Sequence, residues 1–398
     1  MRVAISSPLI EERGEEITLT YPVQGLGQET LEFHIFGADR SFVPETLEPA
    51  LLALLIPAMV VGSDIEVDGP VSEGLAFRVE RYVVPLLARI VAPAKPISIH
   101  AAERTRNSLK GEPAVITGLS NGTDSLHVCA EHLADSAPSD LRITHFLFHD
   151  AGSHRGKELA AERLSRVRAS ALTMNRPLIV INANLDLFFR PLGLGYQQTH
   201  TLRSAAIAFS LSGRAKSYLY ASSYPYSSVA VRETRDTASI DPVLLPLLKS
   251  ETTDCFSIGA SKTRVEKLAI VCETDIGKRF FDVCVNRLPN CSRCWKCART
   301  LPSLELLGKK ATVEHLFNES EFQKIRDQYI AHILVSAGRH SLNREVRELM
   351  RTTGFRPSMR QRLRAIATFP IFHAAFVPRI GPAFDRLYKT ITRFSAHR

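Results

Sequence analysis

The sequence predicts an α/β protein built on a Rossmann-like parallel sheet, with an added α+β N-terminal domain and a helical C-terminal region. Three observations carry this. Apolar runs at 114–119, 144–149, 177–182 and 216–222 alternate with stretches of helical periodicity, the pattern of parallel strands joined by crossover helices. The first run ends in a turn of small residues that opens directly into a helical pattern. Four of the seven cysteines crowd into 284–297, which marks a compact metal-type knuckle late in the chain.

Taking the elements in order, 398 residues exceed ordinary single-domain size, and the expected domains are 1–105, 106–310 and 311–398. In the first, 3–6, 17–21, 31–35 and 65–67 read as strands, and 42–61 and 76–91 as helices. The longest apolar run, 50–62, contains Pro57 and falls short of the ~20 residues a membrane span needs, so a core helix is expected. Pro93, Pro96 and the polar 103–107 stretch read as a linker. This domain carries no nucleotide or metal motif, and substrate recognition and homodimer formation are the roles open to it. The first residues turn acidic without a signal-peptide apolar stretch, so a cytoplasmic protein is expected.

The turn reads Ser120-Asn121-Gly122-Thr123-Asp124-Ser125. Leu126, Cys129, Ala130 and Leu133 follow at helical spacing. A sharp turn into a helix N-terminus points several N–H groups at one place and adds partial positive charge, which suits a phosphate. Ser120 and Ser125 can donate hydroxyl hydrogens to it. Asp124 would repel a bare phosphate, so its presence implies a bridging magnesium ion.

The cysteines follow Cys284-x6-Cys291-x2-Cys294-x2-Cys297. Four thiolates so spaced can enclose one tetrahedral zinc ion with no open position, which is a structural site. An iron–sulfur cluster and disulfides are the alternatives. Cys129, Cys255 and Cys272 lie in apolar or strand-like surroundings and read as buried small hydrophobes.

The hexapeptide resembles the Ser-Gly-Gly-x-Asp-Ser loop of the PP-loop (N-type) ATP pyrophosphatases, with Asn121 in place of a glycine. Asn tolerates the left-handed region that the turn needs. A loop followed by a four-cysteine cluster is similar to the 7-cyano-7-deazaguanine synthase branch. Roughly 110–310 fits it, firmly at the loop and the cysteines and loosely elsewhere. The resemblance implies a sheet of the adenine nucleotide alpha hydrolase type, with ATP, Mg2+ and Zn2+ as cofactors. It implies an AMP- and pyrophosphate-forming carbon–nitrogen ligase that adenylates a carboxylate or carbonyl oxygen and transfers ammonia or an amine. Ser120, Asn121, Gly122, Thr123, Asp124 and Ser125 would hold ATP. Asp124, Arg203 and Lys262 would be catalytic, the two cations by their match to family segments. His149 and His154, after the second strand, are candidate bases. The chain carries no glutaminase pattern, so ammonia would come free or from a glutaminase partner. The acceptor, a small molecule, stays unassigned. Thiolating base- or tRNA-modification chemistry is an alternative.

The net charge of +9 belongs to the tail: 351–398 holds nine Arg and one Lys against Asp385 alone. Such a tail can bind RNA or an anionic membrane, with Arg360, Arg362 and Arg364 as its densest patch. The reading favoured is a helical face that packs through Ile371, Phe372, Phe376 and Leu387. A rival function is a zinc knuckle that binds nucleic acid through Arg293, Lys296 and Arg299, with Trp295 as stacking surface.

Overall fold

The computed structural model describes residues 2–152 and 156–374, together with Leu387 and Thr390. It is an α/β protein with a large, mostly parallel mixed sheet. The strands are β1 (Arg2–Ser6), β2 (Leu9–Arg13), β3 (Glu16–Gln24), β4 (Thr30–Phe36), β5 (Asp64–Ser72), β6 (Ile99–Thr105), β7 (Ala114–Gly118), β8 (His145–Asp150), β9 (Leu178–Ala183), β10 (Ala215–Ala221) and β11 (Asp254–Ile258). Their order is β11-β10-β7-β8-β9-β4-β3-β1-β5-β6, with β2 paired to β3. β11 through β9 run parallel, as expected for strands joined by crossover helices. β4 then pairs antiparallel with β9, so residues 1–105 and the later strands share one sheet.

Burial follows strand chemistry. β7 is buried along four consecutive residues, whereas β3 and β4 alternate between buried and half-buried positions. The Glu48–Val61 helix is apolar all round and buried through Met59, Pro57 included, as a core helix must be. Its one buried charge, Glu48, accepts from Ser72 N at 2.7 Å and Asn107 Nδ2 at 3.0 Å.

Three elements depart from expectation. The stretch taken as a linker contains β6, paired parallel with β5; its polar residues are mostly exposed and gave no apolar signal. β2 is equally polar, and β11 has five residues. In the tail, Ile371 packs against Val335, but Leu387 is 46% exposed, so it does not supply the packing expected of it. Phe372 and Phe376 lie outside the described side chains.

By contacts the chain divides into two compact units. The first comprises residues 1–119, 128–154 and 167–261; the second comprises 120–127, 155–166 and 262–398. These divisions differ from the 105/106 and 310/311 boundaries read in the sequence. The first unit contains the whole sheet. The second gathers the 120–125 turn, the start of the Lys157–Thr173 helix and the helices from Arg264 onward. Among these, Glu319–Ser336 and Ser341–Thr352 bury Phe322, Tyr329, Ile330, Ile333, Val346 and Met350.

Candidate functional site

The chain passes from β7 through the turn into the Thr123–His132 helix. Ser125 organises the turn: its Oγ donates to Gly122 O at 3.2 Å and accepts from Ser120 N at 3.3 Å. The two serine hydroxyls lie 3.1 Å apart. Asn121 holds φ = 57°, in the left-handed region that an asparagine tolerates. A Cβ on Gly122 would stand 3.3 Å from Ser120 Oγ, inside the turn. Asn121 is 1% exposed, yet neither Oδ1 nor Nδ2 meets a hydrogen-bond partner among the described residues. A buried unpaired amide costs about 1–3 kcal/mol, so this one needs a partner, which a water, an ion or a ligand can supply.

Cations converge on the same helix start. Arg264 Nη2 lies 2.5 Å from Asp124 Oδ2, and Lys267 Nζ lies 3.6 Å from Oδ1. Both extend from the Arg264–Val271 helix, where i and i+3 side chains share a face. A Thr263/Glu266 capping box fixes where that helix begins. Lys267 is 1% exposed, and burial lowers its pKa while Asp124 opposes the shift. Burial pushes Lys296 down to about 8, with Arg264 and Arg299 adding to the shift and Asp124 opposing it. Arg163 acts on Lys296 as well. The second carboxylate here, Glu345, accepts from Arg264 N at 2.8 Å, and burial raises its pKa. Five cations, Arg264, Lys267, Lys296, Arg299 and Arg163, therefore outnumber the three carboxylates Asp124, Glu345 and Asp282, a balance that suits a polyanion.

The four cysteines are buried, and their sulfurs all lie within 4.8 Å of one another. Cys294 Sγ stands 3.4 Å from Cys297 Sγ and 3.9 Å from Cys284 Sγ. These separations bracket the ~3.8 Å edge of a tetrahedron with Zn–S bonds of ~2.3 Å. They exclude S–S bonds, which need ~2.05 Å. Cys294 also caps the Trp295–Leu306 helix by accepting from Cys297 N. Hydrogen bonds from Cys291, Cys294 and Cys297 draw the Cys284 thiol well below its usual range. The group can hold a metal ion.

Turn and cysteines are joined by backbone. Asp282 N donates to Asn121 O at 2.8 Å, two residues before the first cysteine. Asp282 Oδ1 accepts from Cys284 N at 2.9 Å, and Arg163 donates to Cys284 O at 2.6 Å. A cleft of about 690 Å³ lies beside the residues that follow Cys284, lined by Gly156, Lys157, Glu158 and Leu159 and by Val285 and Asn286.

The other sequence candidates fall as follows. Arg203 is 1% exposed and bound within the first unit: it donates to Ala151 O at 2.7 Å, Asp186 Oδ1 at 2.5 Å and Thr199 Oγ1 at 2.8 Å. Lys262 is half-buried just before the capping box, where it acts on Glu266. His149 is half-buried at the end of β8, and His154 lies outside the described residues. Arg293 pairs with Glu321 at 3.1 Å and Arg299 is 8% exposed. Lys296 and Arg299 lie 5.7 and 5.1 Å from the centroid of the half-buried Trp295 ring. Sequence reading missed Arg264, Lys267 and Arg163. The available signal was the cation pair at i and i+3 behind a Thr-x-x-Glu cap. Compared with protein-family models, curated proteins and solved structures, the chain matches none.

Proposed function

We propose that the chain is an ATP-dependent synthetase of the PP-loop pyrophosphatase type, similar to the 7-cyano-7-deazaguanine synthase branch, with a sheet of the adenine nucleotide alpha hydrolase type. The observation that carries this is the buried, unpaired Asn121 amide in a left-handed turn, set among cations that outnumber their carboxylates. Ser120, Asn121, Gly122, Thr123 and Ser125 take the pyrophosphate end of ATP, with N–H groups of the helix start facing it. Arg264, Lys267 and Lys296 neutralise charge as the α–β bond breaks, since such chemistry is mostly positioning and electrostatics. Asp124 holds Arg264 and Lys267 at the turn, and its carboxylate is the group that would hold magnesium, which supplies further charge neutralisation. Cys284, Cys291, Cys294 and Cys297 would hold zinc, whose role is structural.

The acceptor occupies the cleft beside Lys157 and Asn286. Its oxygen attacks the α-phosphorus, pyrophosphate leaves, and a nitrogen nucleophile then displaces AMP. Nitrogen is favoured over sulfur because burial pushes Cys129 up to about 12 and Cys272 up to about 11, far from thiolates at neutral pH. Pyrophosphate release from ATP, measured with purified protein, ammonia and a pool of small carboxylates, tests the assignment. Acceptor-dependent release is expected. Absence of nucleotide binding at millimolar ATP would remove it.

A further inference from the structure

Three features outside the turn invite a role. The His200, Asp236 and Asp241 group is held internally by Tyr220, Tyr224 and Thr201, which leaves it no ligand to name. The exposed Met359, Leu363 and Ile366 stripe carries nothing that says what covers it. The connection between the cysteine cluster and the 120–125 turn carries further.

The two parts meet at several points, all in the second unit. The Asn121 carbonyl, whose direction sets the left-handed turn, accepts from Asp282 N at 2.8 Å. Asp282 in turn receives Cys284 N at 2.9 Å. Asn290 ties the same segment down: its Oδ1 accepts from Val283 N and Cys284 N at 2.9 and 3.1 Å, and its amide donates to Phe281 O and Leu316 O. On the other side, Lys296 sits between Cys294 and Cys297, and Arg299 follows two residues later on the same helix. A metal bound to these cysteines therefore fixes both the segment that holds the Asn121 carbonyl and the helix that presents two of the five cations.

We infer that metal bound at the four cysteines sets the affinity of the 120–125 turn for nucleotide, with Asp282 as the positioning residue between them. This rests on the reading of the turn as an ATP site. Without metal, the segment carrying Asp282 and the first turn of the Trp295–Leu306 helix lose their common anchor, and the turn loses its carbonyl partner and two cations together. Coupling between two binding sites is reciprocal, so nucleotide must tighten metal by the same factor by which metal tightens nucleotide.

The test uses the full chain loaded with zinc and the non-hydrolysable analogue α,β-methylene-ATP. Zinc transfer to a chromophoric chelator is followed at equilibrium with and without the analogue. Analogue binding is measured separately on zinc-loaded and chelator-stripped protein, with circular dichroism checking the fold. Tightening of zinc by about 5–150-fold in the presence of analogue, with a matching loss of analogue affinity on stripping, is the expected result. The chelator arm needs only loaded protein, so it decides even where stripping unfolds the chain. Equal zinc affinity with and without bound analogue overturns the coupling and leaves the ATP assignment standing. Loaded protein that binds no analogue overturns both.

Discussion

Asp124 and Arg264 are 140 residues apart in the chain and form an ion pair of 2.5 Å at the start of the Thr123–His132 helix. The carboxylate is thus held beside a second cation, Lys267, in a setting mostly withdrawn from water. In the proposed reaction Arg264 meets developing phosphate charge and Asp124 orients it. Arg264→Ala is expected to lower pyrophosphate release by about 10²–10³-fold, the usual effect of removing one preorganised charge-stabilising group. Asp124→Ala should lose turnover to the same degree while zinc content stays at the wild-type level. Steady-state pyrophosphate assays beside metal analysis check both, and full turnover in either variant sinks the assignment.

Cys294 combines two duties: its sulfur stands among the four thiols and its acceptor caps the Trp295–Leu306 helix. Cys294→Ser is expected to drop zinc from about one ion per chain to a small fraction of that, since three thiolates and a hydroxyl make a poor closed site. Serine remains a good cap, so the loss isolates the metal. Binding free energy at such a site is folding free energy, and a clear fall in melting temperature should accompany it. Unchanged zinc content and melting would contradict a metal role for the cluster.

The turn and the cysteines were legible in the sequence because their chemistry is local: six consecutive residues make one, and four residues in a short span make the other. The parallel strands β7 to β10 were legible because burial on both faces leaves continuous apolar runs. β6 was not, because its polar, exposed residues look like loop until β5 pairs with it. Arg264, Lys267 and Arg163 were also hidden. Their helical spacing is ordinary, and only tertiary folding carries them to Asp124 and Cys284. Family matching pointed to Arg203 instead, whose guanidinium is already bound to Asp186, Ala151 and Thr199.

Asp241 predicts a pH dependence of stability. It is fully buried, and burial pushes its carboxyl up to about 7, with Asp236 also raising it and with His200 and the Thr201 hydroxyl opposing. Thr201 Oγ1 lies 2.8 Å from Oδ1, while Oδ2 has no hydrogen-bond partner among the described residues. Because the folded value lies above the unfolded one, the native chain keeps a proton that the unfolded chain releases between about pH 4 and 7. This contribution to stability is therefore full below that window and declines through it, by up to roughly 1.4 kcal/mol per pH unit, then levels off. Asp241→Asn imitates the protonated acid and should flatten the slope, raising the unfolding midpoint at pH 8 and changing it little at pH 4.5. Urea titrations across that range decide it; a variant with the wild-type slope would show that Asp241 does not hold the proton.

Arg203 predicts a separation of stability from catalysis. Its guanidinium donates to a carboxylate, a carbonyl and a hydroxyl, and lies 3.9 Å from the centre of the Phe189 ring. Lysine has neither the planar fork nor the ring contact, so Arg203→Lys gives up hydrogen bonds to Ala151 and Thr199, while Arg190 still pairs with Asp186 at 2.8 Å, and should cost about 1–3 kcal/mol. Gly152→Ala attacks the same place from the other side. Its φ is +91°, and the new methyl would stand 2.2 Å from Asp186 Oδ1 and 2.6 Å from Arg203 Nη1. Both variants should unfold at lower denaturant, and the double variant should lose less than the two losses added, because each breaks the same contacts. The protein that does fold should keep its KM for ATP. Wild-type melting with a large fall in kcat for Arg203→Lys would instead return this arginine to the reaction.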